Sequence, residues 1–128
     1  MSNNKENNIL KAKWYEVIND EQGDFIWFYD IDKGERDDYD RLYSCELEKR
    51  EEKGEIVIFP WKEELYPYGK AMRDFLQEND IIVPRGTSAI GYLKSQGENF
   101  DFYEYRNQEL KAKLLKWLEE KKLPIEII

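Results

Sequence analysis

Phe25 to Ile31, FIWFYDI, restricts the architecture more than any other stretch of the chain. Side chains of an extended backbone alternate, so Phe25, Trp27, Tyr29 and Ile31 share one face while Ile26 and Phe28 share the other. Apolar groups on both faces predict a central strand covered above and below, because a half-solvated strand would carry polar groups on one side. The rest of the chain must therefore supply neighbouring strands and two covering layers.

Candidates for both follow in chain order. Leu10, Ala12, Trp14 and Ile18 alternate with Lys11, Lys13, Tyr15 and Val17 and read as a first strand, with a short helix as the alternative, and Asp20–Asp24 as the tight reversal that follows it. After the central strand, Asp32 to Asp40 reads as a polar loop. Tyr43, Cys45 and Leu47 alternate with Ser44, Glu46 and Glu48 as a half-buried strand. The charged run Lys49–Lys53 and Gly54 then form the tip of a hairpin that returns through Ile56–Phe59 before Pro60. Pro67 suits the first turn of a helix, with Ala71, Met72, Phe75 and Leu76 as its apolar stripe through Asn79. Ile81–Val83 is a short apolar segment closed by Pro84. Thr87 or Ser88 caps a short helix through Ala89, Ile90, Leu93 and Lys94 that ends at Gly97.

The C-terminal block is read as an aromatic strand through Phe100, Phe102, Tyr103 and Tyr105, passing at an Asn107 cap into an amphipathic helix. Leu110, Leu114, Leu115 and Leu118 line that helix, and Leu123 and Pro124 end it. Strands come first and helices later, and no internal repeat is present. The expected class is α+β: a mainly antiparallel sheet of about four to six strands packed with two or three helices.

With 128 residues the chain has the length of one domain. A polar tail is expected over residues 1–8, MSNNKENN, and one globular domain over 9–128. Ile, Leu, Val and Phe occupy 32 positions, enough for a core, so the 38% of charged residues belongs to the surface of a folded domain. Nineteen aromatic residues offset the scarcity of valine in filling that core. The formal net charge is −8, from 28 acids and 20 bases. That balance opposes binding to nucleic-acid phosphates and anionic membranes and favours steering toward a basic partner. The lone Cys45 has no partner for an intrachain disulfide and is expected in the core as a small hydrophobe. No run is long and apolar enough for a membrane span, and the first 25 residues lack a signal-peptide core, so a cytoplasmic location is expected.

The residue types also filter chemistry. The chain contains no histidine, which removes the usual serine and cysteine hydrolase arrangements, the common zinc sites and histidine pH switching. Asp30 to Asp40, DIDKGERDDYD, concentrates six acids against Lys33 and Arg36. It does not follow the EF-hand order, because Gly34 and Glu35 stand where a ligand and then a glycine belong. A solvated hairpin tip is the simplest reading; an irregular divalent-metal site and a carboxylate surface for a basic protein are the others. Trp61 and Tyr66 lie between Pro60 and Pro67 among acids, and Tyr68 follows at once, either as interface anchors or as rings folded over the sheet edge. Arg85, Thr87 and Ser88, between a short strand and a helix start, could hold an anion, although a turn with an N-cap explains them as well. Ser88 has no general base to make it a nucleophile.

The favoured expectation is a small cytoplasmic protein-binding module and not an enzyme, with no cofactor or metal. Asp32, Glu35, Asp37, Asp38 and Asp40 would make the electrostatic contact, with Trp61, Tyr66 and Tyr68 as anchors. In size and charge the chain is similar to small acidic immunity proteins that neutralise bacterial nuclease toxins, a similarity of composition without a shared motif. The alternatives are a carboxylate-based metal-dependent enzyme and a small-anion sensor built on Arg85.

Overall fold

A computed structural model describes residues 9–128; the expected tail over 1–8 lies outside the described residues. Those residues form five strands and five α-helices: β1 (Leu10–Ala12), β2 (Phe25–Asp30), β3 (Glu35–Asp40), α1 (Ser44–Glu52), β4 (Ile56–Ile58), α2 (Lys62–Leu65), α3 (Tyr68–Glu78), α4 (Ala89–Ser95), α5 (Asn99–Lys121) and β5 (Ile125–Ile127). Short 3₁₀ turns cover Trp14–Glu16 and Arg41–Tyr43. The class is α+β, and the main sheet is antiparallel in the order β3-β2-β4. It has three strands, fewer than the expected four to six, and β1 pairs separately and in parallel with β5.

β2 is central and covered on both faces, as its two-sided pattern requires. Ile26 and Phe28 pack with Leu47 of α1 and Ile56 of β4, while Tyr29 on the opposite face packs with Leu114 and Leu118 of α5. α5 also links two parts of the interior. Phe102 and Leu110 join Tyr66, Ala71, Met72, Phe75 and Leu93, whereas Leu114 and Leu118 join the cluster over the sheet.

Two stretches depart from their expected conformation. Residues 99–106 are helical, within a continuous α5, and Asn107 is inside the helix and not its cap. The aromatic run meets the core with helical spacing: Phe102 is buried and Tyr105 packs beside it, while Phe100 is 75% exposed. Strand preference of aromatic residues is largely a packing effect, and here the available packing surface favours a helix. Residues 43–48 are likewise not a strand but the end of a 3₁₀ turn and the start of α1.

Several local interactions favour α1. Asp40 accepts the Leu42 N–H at 2.9 Å, Ser44–Glu52 is rich in helix-forming Glu, Lys and Arg, and Gly54 (φ +77°) supplies the left-handed residue after the helix end. Only Leu47 of the expected inward set Tyr43, Cys45 and Leu47 is buried; Cys45 is exposed, contrary to its expected core position. The run Lys49–Lys53 therefore closes a helix instead of tipping a hairpin, and Ile56–Ile58 pairs with β2. The expected first strand stops at Ala12, where a 3₁₀ turn begins with the Lys13 N–H donating to Glu16 at 2.8 Å. Ile81–Val83 forms no strand. The helices after Pro67 and Ser88 occur as expected.

A buried asparagine fixes how β4 leaves the sheet. The Trp27 N–H donates to Asn19 Oδ1 at 2.7 Å, and Asn19 Nδ2 donates to the Phe59 carbonyl at 2.9 Å and the Trp27 carbonyl at 3.0 Å. The side-chain amide is thus interposed between backbone groups of β2 and the residue following β4. Among the described residues no helix is long and apolar enough to cross a membrane.

Candidate functional site

The acidic run from Asp30 to Asp40 is mainly an edge strand, not the expected loop, with its turn confined to residues 31–34. The register pairs Trp27 with Asp38, Phe28 with Asp37 and Phe25 with Asp40. Alternation therefore places Glu35 and Asp37 on the face covered by α1, and Asp38 and Asp40 on the face that bears Trp27. The five carboxylates assigned to one contact are divided between two faces and the turn. No three acids among the described residues converge in a metal-like group.

Asp30 ends β2 and is buried, accepts the Lys33 N–H at 3.0 Å and lies 3.7 Å from the Arg50 guanidinium. Asp37 accepts the Asp38 N–H at 2.8 Å, and Asp40 caps the following turn. Asp32 and Glu35 are exposed, without an ion-pair partner within 4 Å among the described residues. A charged outer edge on β3 also opposes pairing with the same edge of another copy.

Where β3 ends, the acids adjoin apolar groups that the sequence reading missed as contacts. Leu42 is 86% exposed and Tyr43 53% exposed, on the turn immediately after Asp40. Tyr39 stacks edge-on against Tyr43 at 6.0 Å and its hydroxyl donates to Glu46 at 2.6 Å. Phe25, paired across the strands with Asp40, is also exposed. Leu42 and Tyr43 stand beside an acidic run in the sequence, and the signal for their exposure is the Asp40 cap, which turns the chain before a strand can continue.

The three aromatics expected as anchors separate. Trp61 is half-buried against the α1 face of the sheet, with Arg41 5.3 Å from its ring centroid, and lines a hollow of about 310 Å³ with Ile26, Ser44 and Glu48. Tyr66 is core, which removes it as a surface anchor. Its hydroxyl donates to Asp74 at 2.6 Å and lies 3.2 Å from that of Tyr105; desolvation foremost, then these bonds, pushes its ionisation far upward. Tyr68 is partly exposed at the start of α3, edge-on to Phe102 at 5.4 Å and with Arg106 5.5 Å from its ring centroid.

At the Arg85 turn the hydroxyls serve local structure. Thr87 donates to the Pro84 carbonyl at 2.5 Å and Ser88 accepts the Gly91 N–H at 3.1 Å as the cap of the seven-residue α4. Arg85 is exposed.

Fold and surface together define a small α+β protein with an acidic sheet edge ending in exposed apolar residues. Comparison with protein-family models, curated proteins and solved structures returns no match.

Proposed function

We propose that this chain is a cytoplasmic binding module for a basic protein, of the kind that inhibits or neutralises its partner, and that it docks through the β3 edge and the Arg41–Tyr43 turn. The observation that carries this reading is Leu42, 86% exposed beside Tyr43 and the carboxylates of β3. Exposed apolar side chains provide contact area in the centre of an interface, and surrounding acids select a basic surface and speed encounter. Division of the acids between two faces does not defeat this role. Steering acts over a Debye length of about 8 Å at physiological salt, so carboxylates on both sides of one strand contribute to the same field. Asp37, Asp38 and Asp40 act in steering, Leu42 and Tyr43 as anchors, and Trp61 beneath Arg41 as support.

The test is capture from native host lysate at low and moderate salt, using the tagged protein and two double variants. Wild type is expected to retain a basic partner in stoichiometric amount. Leu42→Ser with Tyr43→Ser should release it, while Asp37→Asn with Asp38→Asn should slow association and flatten its salt dependence. Equal retention by all three proteins, or no retained partner, refutes the assignment.

A further inference from the structure

A second feature lies where the β2–β3 turn, β4 and the C-terminal end of α5 meet: a pocket of about 380 Å³. Ile31, Val57 and Leu123 give it an apolar wall, while Lys33, Lys121 and Lys122 contribute three cations. Asp32 is the single carboxylate residue in its lining. None of these lysines has a carboxylate within 4 Å among the described residues. A local excess of lysines without ion-pair partners runs against the composition of a chain with 28 acids and 20 bases, although the Lys121 ammonium also lies 5.7 Å from the Trp117 ring centroid.

Basic residues in a last helical turn are ordinary complements to the helix dipole, so Lys121 and Lys122 alone would require no ligand. One observation goes further. Tyr29 also lines the pocket, is only 4% exposed, and its hydroxyl makes no hydrogen bond among the described residues. Its oxygen keeps some contact with solvent and so presents a free donor at the pocket, whereas that of Tyr66 is bonded within the core. Burial, and secondarily the Asp30 charge, pushes Tyr29 ionisation upward, leaving the hydroxyl protonated and able to donate. Gly34 flanks this group: a Cβ added there would stand 3.7 Å from the Tyr29 oxygen.

Lys122 shares a positive φ with Asp80, which follows α3. Lys122 occupies the left-handed region, φ 56° and ψ 39°, at the position after the helix where glycine is commonest. Its N–H and that of Leu123 close onto Leu118 and Glu119 carbonyls, so the helix end is already capped by backbone groups. The lysine side chain is not needed for that closure, and it adds charge to the pocket at a conformational cost.

We propose that this pocket binds a small organic anion, whose charged group is held by the Tyr29 hydroxyl and the ammonium groups of Lys33, Lys121 and Lys122, and whose apolar body rests on Ile31, Val57 and Leu123. The recognition chemistry is that of an amphiphilic phosphate or carboxylate. The site is independent of Leu42 and Tyr43.

Phenyl phosphate and inorganic phosphate, titrated calorimetrically into the full chain at constant ionic strength, provide the test. Phenyl phosphate is expected to bind saturably at one site and at least several-fold more tightly than inorganic phosphate, because the ring buries apolar area. Tyr29→Phe should weaken it about tenfold through loss of a hydrogen bond to a charged group. Lys122→Gly should raise the thermal midpoint yet weaken binding, separating the site from fold stability. Absence of saturable phenyl phosphate binding, equal affinity for inorganic phosphate, or affinity unchanged in both variants overturns the proposal.

Discussion

Replacing Asn19 by leucine tests whether one side-chain amide holds the junction between β2 and the chain leaving β4. The two side chains branch alike, and leucine is the bulkier, so the change removes hydrogen bonding and leaves no void; the smaller Asn19→Ala separates any overpacking from the lost bonds. The Trp27 carbonyl retains the Phe59 N–H at 3.2 Å, but the Trp27 N–H loses Asn19 Oδ1 and the Phe59 carbonyl loses Asn19 Nδ2. Asn19 is buried, so water does not readily replace the amide. An orphaned buried donor or acceptor costs about 1–3 kcal/mol, which gives about 4 kcal/mol for the pair. That is a large part of a typical stability of about 5–15 kcal/mol. Urea unfolding followed by circular dichroism should show a midpoint lower by about 2 M with an unchanged slope. Asn19→Asp should be no better, because a carboxylate cannot donate to either carbonyl. The main-chain bonds Asn19 N–H to Pro60 and Lys62 N–H to Asn19 survive both changes, keeping the segment in place. A loss below about 1 kcal/mol in Asn19→Leu would refute the assignment of this junction to the side chain.

Two further substitutions probe separate parts of the packing. Leu47→Ala removes the fully buried side chain by which α1 meets Ile26, Phe28 and Ile56 and should cost about 3 kcal/mol; hydrogen exchange should show α1 amides losing protection before those of α5. Tyr66→Phe removes the main cause of the lowered Asp74 ionisation, the bond from the Tyr66 hydroxyl, with Lys70 contributing less. A depressed carboxylate stabilises the fold above its unfolded pKa of 3.8 and loses that contribution as pH falls through the lower folded value. The thermal midpoint of Tyr66→Phe should therefore lie below wild type at neutral pH, with the gap narrowing below pH 3.8; a constant gap down to strong acid would reject the Asp74 linkage.

The parts of the fold legible in the sequence are those where local preference and burial agree. Phe25–Ile31 carries apolar groups on both faces and contains the central strand Phe25–Asp30, with Ile31 already in the turn; Ala71, Met72 and Phe75 follow Pro67 at helical spacing and are buried in α3. Ser88 precedes a short apolar pattern and accepts the Gly91 N–H as its cap. The failures occur where a period-two pattern is present but only part of it meets a packing surface. Of Tyr43, Cys45 and Leu47, Leu47 alone reaches the core, and the charged residues after it form favourable helical turns. The pairing of β1 with β5 was inaccessible for a different reason: each has three residues, and the partners lie at opposite ends of the chain.

The same distinction explains what could be read of the surface. Acid density between Asp30 and Asp40 is a composition signal and survives whether the backbone turns or extends, which is why it marks a region without resolving its faces. Direction depends on register: pairing Asp37 with Phe28 and Asp38 with Trp27 sends adjacent acids to opposite sides of β3. Contact groups depend on where the chain turns, and the Asp40 cap is what leaves Leu42 and Tyr43 exposed instead of folding them into a following strand. The Tyr29 pocket lies still further from local sequence, since Lys33 comes from a turn, Lys121 and Lys122 from a helix end, and Val57 from another strand. In an acidic chain those lysines look like scattered countercharges until the fold brings them to one pocket. Charge totals can thus select a class of partner, but anchors and pockets arise from turns, register and helix ends.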